Sequence, residues 1–154
     1  MMALLYNLVA FSDKAIRKNS PIAICLIVNI SYLSTTFMPN VSKVYMYYIL
    51  AELITIGCIW LAYRLFFTSK PYAYYYVLTA LSINACLHLT VHIDIWELGN
   101  VEPWWLWDLY TYGVNTVDII VILSFIIWRD FLGLCRIGRF LKASLAPKKV
   151  GDNG

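Results

Sequence analysis

Four long apolar stretches, each ending at a turn signal, set out this chain. The first runs from about residue 21 to 38 and is closed by Pro39-Asn40-Val41-Ser42; the second runs from about 44 to 67 and is closed by Thr68-Ser69-Lys70-Pro71. The third runs from about 71 to 95, and the break after it carries Gly99, Asn100 and Pro103. The fourth runs from about 104 to 128. Each is near the ~20 apolar residues that a helix needs to cross a bilayer. Two further segments are amphipathic and too charged to span. In residues 1–20, Leu4, Leu5, Leu8, Phe11, Ala15 and Ile16 recur at helical spacing. In residues 129–146, Phe131, Leu134, Ile137, Leu141 and Leu145 oppose Arg129, Arg136, Arg139 and Lys142. Both read as helices lying in the membrane interface. The predicted fold is an all-α integral membrane protein: a four-helix transmembrane bundle over 21–128, an N-terminal interfacial segment over 1–20, and a basic C-terminal segment and tail over 129–154.

Composition supports this. The 154 residues are 61% hydrophobic and 14% charged, whereas a soluble domain is about 45–50% apolar and about 25% charged. Placement of charge then gives an orientation. Of the 12 Lys and Arg residues, only Lys43 falls on the side of the first and third connections; the others flank the opposite helix ends. The positive-inside rule puts both termini in the cytoplasm. Tyr45, Tyr47, Tyr48, Trp96, Trp104, Trp105 and Trp107 mark the outer interface, and Tyr63, Tyr72, Tyr74, Tyr75 and Trp128 the inner one. The start of the chain is apolar first and basic afterwards, the reverse of a secretory signal. Asn40-Val41-Ser42 matches a glycosylation pattern but lies in a turn tight against the bilayer, and reads as a chance match. The chain looks bacterial, and the setting this implies is an inner membrane.

Each predicted span carries polar residues at helical spacing: Asn29, Tyr32 and Thr36; Glu52 and Thr55; Asn84, His88 and His92; Asp108, Thr111, Asn115 and Asp118. At ~1.5 Å rise per residue, Glu52 and His88 lie about 10–12 Å below the outer ends, Asn115 about 15–17 Å, and Asn84, Asp118 and Asn29 about 16–21 Å. Polar groups at one depth on four spans are expected to face one another inside a bundle. Glu52, His88, Asn84, Asn115, Asp118 and Asn29 therefore form a candidate intramembrane polar layer. It serves either proton or ion handling or helix pairing. No Lys or Arg shares that depth, which leaves His88 as the one candidate cation near Glu52, and Asn84, Asn29 or water as partners for Asp118. His92, Asp94 and Glu97 belong by depth to the outer rim with the tryptophans.

Other chemistry finds little footing. His88 and His92 have the i, i+4 spacing of metal ligands, but their face of the helix offers no third ligand, and the Glu of His-Glu-x-x-His is missing. One buried histidine also suits a haem or quinone subunit of a redox complex, with His88 as axial ligand. The four cysteines are isolated and read as packing residues. With no nucleophile–base set and no phosphate loop, neither an enzyme nor a cofactor is expected. The basic face of Arg129, Arg136, Arg139 and Lys142 suits anionic headgroups or a cytosolic protein. It lacks the aromatic platform that nucleic acid would require. Polar residues on every span suggest a homo-oligomer.

The layout is similar to that of small multi-span membrane components of bacterial anti-phage defence systems, the Kiwa type among them. The likeness is one of architecture and not of a residue motif. It implies a non-enzymatic membrane subunit that senses the envelope and recruits or controls a cytosolic effector. A proton or ion channel or transporter lined by Glu52, His88, Asn115 and Asp118 is the alternative. An immunity protein that blocks a pore-forming toxin is a further one.

Overall fold

The computed structural model describes residues 22–36, 44–67, 70–127 and 133–145. Every regular element among them is a helix. These are α1 (Ile22–Thr36), α2 (Val44–Leu65), α3 (Tyr72–His92), α4 (Trp105–Ile127) and α5 (Leu134–Leu145). A π-helical turn, Ile93–Glu97, continues α3. Three helices are long and apolar enough to cross a membrane: Val44–Leu65, Tyr72–Glu97 and Trp105–Ile127, with mean hydropathies of 1.7, 1.4 and 1.6. At 22 residues, α2 is about 33 Å long, enough for a hydrocarbon core of about 30 Å. Helix α1 has 15 residues and by itself reaches only about 22 Å. The predicted N-terminal segment, residues 1–20, lies outside the described residues.

Helix α3 is the axis of the bundle. Half of its most apolar window is buried, against 11% for α2 and 22% for α4. It packs extensively on both α2 and α4 and also touches α5, while α1 leans on α2. Small side chains make this approach possible. Ala73, Ala80 and Ala85 are buried on α3, and Gly113 of α4 faces Leu87, where an added Cβ would stand 3.0 Å from a Leu87 methyl. Small residues at helix contacts let backbones come close where lipid removes the usual hydrophobic drive. The apolar core joins Ile24, Cys25 and Val28 of α1 to Ile59 and Tyr63 of α2, Val77 and Leu81 of α3, and Val121 and Phe125 of α4. Large apolar side chains such as Ile30, Leu53, Ile54, Trp60 and Ile119 point outward, the arrangement of a bundle solvated by lipid rather than water.

The two ends of the bundle differ. At one, Arg64 lies over the Trp60 ring at 5.7 Å and Lys70 over the Tyr74 ring at 4.8 Å, so cations are held against aromatic faces. At the other, the chain turns between α3 and α4 among tryptophans. Gly99 there has φ +66°, a left-handed conformation that glycine adopts without steric cost. It follows the wide π turn, whose last bonds run from Leu98 N–H to Ile93 C=O and from Asn100 N–H to Asp94 C=O, both 3.0 Å.

Candidate functional site

The core closes the bundle toward the Lys70 end. Toward the tryptophan end the four helices part around a cavity of about 270 Å³. Ser31 and Tyr32 come from α1, Tyr48 and Glu52 from α2, Asn84 and His88 from α3, and Tyr110 and Asp118 from α4. Helical spacing explains the set. Tyr48 and Glu52, and likewise Asn84 and His88, are four residues apart and so stack on one face of their helices; Tyr110 and Asp118 are two turns apart on theirs.

Hydrogen bonds knit the helices around the cavity. The Tyr32 hydroxyl donates to Asp118 Oδ1 at 2.5 Å. Asn84 Nδ2 donates to the same oxygen at 3.2 Å, and the Asn84 amide also lies against the Glu52 carboxyl. Asn84 is 1% exposed, yet its Oδ1 has no hydrogen-bond partner. The Tyr110 hydroxyl and His88 Nδ1 are bonded at 3.1 Å. Tyr48 and Tyr110 flank the His88 ring, with centroids 5.1 and 5.5 Å away, and Tyr45 packs edge-on against Tyr110 at 5.8 Å. Beside the cavity, Thr55 donates to Ser31 at 2.6 Å, tying α2 to α1.

Of the sequence-predicted polar layer, Glu52, Asn84, His88 and Asp118 line this one cavity. The other two residues do not. Asn115 is exposed on α4 and donates to the Thr111 carbonyl at 2.6 Å. Asn29 donates to the Cys25 carbonyl at 2.7 Å. The predicted facing of His88 and Glu52 takes a different form: both line the cavity, but the hydrogen bond of His88 goes to Tyr110. The sequence places Tyr48 in the outer aromatic belt and gives Tyr110 no role, yet both line this cavity. Their signal was spacing: Tyr48 is one turn from Glu52, and Tyr110 is two turns from Asp118.

The second polar cluster lies among the tryptophans, where its depth predicts it, but it is buried. Asp94 is 3% exposed. Its Oδ2 accepts from Trp104 Nε1 at 2.9 Å and Trp107 Nε1 at 3.3 Å, and its Oδ1 accepts from Asn100 Nδ2 at 3.3 Å. The π turn of α3 carries this carboxyl toward the start of α4. His92 is also buried, and its Nδ1 has no partner. Among the described residues, no group of three or more His, Cys, Asp or Glu side chains is arranged to hold a metal ion.

Beyond α4, Arg136 and Arg139 are exposed on α5, and Arg139 Nε reaches the Cys135 carbonyl at 3.3 Å. Ile137 and Phe140 are exposed beside them. Arg129 and the Lys142 side chain lie outside the described residues.

Chemically, the cavity is rich in acceptors. It presents two carboxyls and an orphaned amide oxygen, and no Lys or Arg lines it. Two carboxyls in a low-dielectric pocket require protons, fixed donors or a cation to offset their charge. Such a pocket can exchange protons or hold a positive ligand. No known protein family, no curated protein and no solved structure matches this chain.

Proposed function

We propose that this chain is a non-enzymatic, four-span subunit of a bacterial inner membrane with both termini in the cytoplasm. In this reading its intramembrane pocket registers the state of the envelope, and its basic C-terminal helix passes that state to a cytosolic effector. Anti-phage defence is the setting that its layout suggests. One observation carries the proposal: all four helices α1–α4 contribute to a single pocket holding Glu52, Asp118 and His88. A change of charge there acts on every helix contact at once. The Tyr32–Asp118 bond sets α1 beside α4, which supports α1 as the fourth span. Arg64 and Lys70 at one end of the bundle support that end as cytoplasmic. The exposed Arg136, Ile137, Arg139 and Phe140 of α5 suit an anionic lipid surface or a docking protein. The outward apolar face of α2 is available to lipid or to a second copy.

Affinity capture from native membranes tests this reading. A cytosolic protein should co-purify with the wild type and be lost from Arg136→Glu/Arg139→Glu. Capture of no cytosolic protein, or capture indifferent to deletion of 129–154, would sink it.

A proton or ion path is the second reading, favoured by the two carboxyls and the histidine in one cavity between the helices. Proteoliposomes separate it from the first. Flux that vanishes in Glu52→Gln or Asp118→Asn would establish a path, and wild-type vesicles as tight as empty ones would rule it out.

A further inference from the structure

We propose that the pocket between α1 and α4 binds a small primary ammonium compound, whose N–H groups are received by Glu52, Asp118 and Asn84 Oδ1 beside the aromatic cluster of Tyr48, His88 and Tyr110. The inference rests on reading the pocket as the working site of the protein, and it names the class of ligand.

Two independent observations point to a donor-bearing cation. The first is the carboxyl pair, which no Lys or Arg accompanies in the cavity. Tyr32 and Asn84 both meet Asp118 at Oδ1. The second is Asn84. Its nitrogen serves the carboxyls, while its oxygen, on a side chain that is 99% buried by the measure of its 1% exposure, has no partner. A buried acceptor left alone costs about 1–3 kcal/mol, so a native site that keeps one has a use for it. The three acceptors come from α2, α3 and α4, and a primary ammonium presents three donors.

The walls and the size select further. Tyr48, His88 and Tyr110 pack as an aromatic cluster beside the acids. Such faces attract ammonium groups and organic rings more than they do a hydrated metal ion. The volume, about 270 Å³, falls just under the range of about 300–1,000 Å³ typical of drug-sized ligand sites. A bare ion would leave most of it to water.

Calorimetric titration of the full chain in lipid nanodiscs at neutral pH tests the assignment, with benzylammonium as probe. Benzyl alcohol has the ring without the charge, and benzyltrimethylammonium has the charge without N–H donors. Benzylammonium should bind saturably and at least about tenfold more tightly than either control, one charge-assisted hydrogen bond being worth that much. Glu52→Gln and Asp118→Asn should each weaken it by about tenfold or more, and Thr116→Ala, on the exposed side of α4, should leave it unchanged. Where a pocket variant fails to fold by circular dichroism, the three-probe comparison on the wild type decides alone. The assignment is overturned by benzyl alcohol or benzyltrimethylammonium binding as tightly as benzylammonium, by no saturable binding, or by full affinity in both acid variants. Lost amine binding with effector capture intact removes the ligand class only; amine binding without effector capture removes only the coupling to a cytosolic partner.

Discussion

Asp94 and Asp118 are both carboxyls on apolar helices of one bundle, Asp94 at its tryptophan end and Asp118 deeper along α4, and the structure treats them in opposite ways. Asp94 is enclosed by fixed donors, two indole N–H groups and the Asn100 amide. It fastens the end of α3 to the start of α4. Asp118 shares a cavity with Glu52, receives Tyr32 and Asn84 on one oxygen, and stands beside an amide oxygen without a partner. An acid whose donors are built in is a fastening. An acid beside a cavity and a surplus of acceptors is poised for something that arrives, whether a proton or a cation. The two differ in depth as well, but it is the count of donors that sets their roles.

The comparison breaks first at Asp94. Its replacement by Ala should lower unfolding stability by about 3 kcal/mol, because it withdraws an acceptor from three donors at once in a buried site. Denaturation of the detergent-solubilised protein, followed by tryptophan fluorescence, measures this directly. Asp94→Asn, which keeps one acceptor oxygen, should fall between the two. If Asp94→Ala unfolds at the wild-type midpoint, the knot is not a fastening and the contrast with Asp118 loses one side.

The helices were legible in the sequence, but their facing was only partly so. Turn residues such as Pro71, Gly99 and Pro103 placed the breaks. The predicted stretch 44–67 lies over α2, Val44–Leu65, and 104–128 over α4, Trp105–Ile127. What periodicity could not supply was which side of each helix looks inward. In water the buried face of a helix is apolar and the outer face polar; in lipid both are apolar. Asn84 and Asn115 therefore look alike in sequence, yet one is 1% exposed in the core of α3 and the other lies on the exposed side of α4. A side chain that bonds back to its own helix, as Asn115 does to Thr111, can satisfy its amide without facing the cavity. Depth alone cannot distinguish the two solutions. Depth placed Asp94 with the tryptophans, but its burial was not legible, because its donors Asn100, Trp104 and Trp107 lie beyond the end of its own helix, where periodicity gives no facing.

Two smaller effects sharpen the same contrast. Gly99 sits at φ +66° just past the π turn that holds Asp94. Gly99→Ala should cost about 1–2 kcal/mol, the strain of a side chain in the left-handed region, and denaturation midpoints would register it. A cost near zero would show that the turn relaxes and that Asp94 alone keeps the connection. On the pocket side, Tyr110→Phe removes the hydroxyl bonded to His88 Nδ1 but keeps the ring packing. Its cost should be near the ~0.6 kcal/mol average for an interhelical polar bond in a membrane protein. The nitrogen resonances of His88 should shift while the melting temperature barely moves. A loss above about 2 kcal/mol would make this bond a fastening too.

The smallest stability effect should accompany the largest functional one, at Glu52. Gln has nearly the same shape and brings an N–H₂ group into a pocket where acceptors exceed donors, so it can donate toward Asp118 or Asn84 Oδ1. Removing one of two carboxyls from a shared low-dielectric pocket also relieves their repulsion. Stability of Glu52→Gln should therefore match the wild type or exceed it by up to about 1 kcal/mol, by the denaturation measurement used for Asp94. A residue retained for folding would show the reverse, a clear loss when the charge is removed. Equal or greater stability, together with lost ammonium binding or lost effector capture, would mean that Glu52 is kept at a cost to the fold for the sake of what the pocket does. A loss as large as that of Asp94→Ala would instead place both acids in the same class, and the pocket would be a second knot.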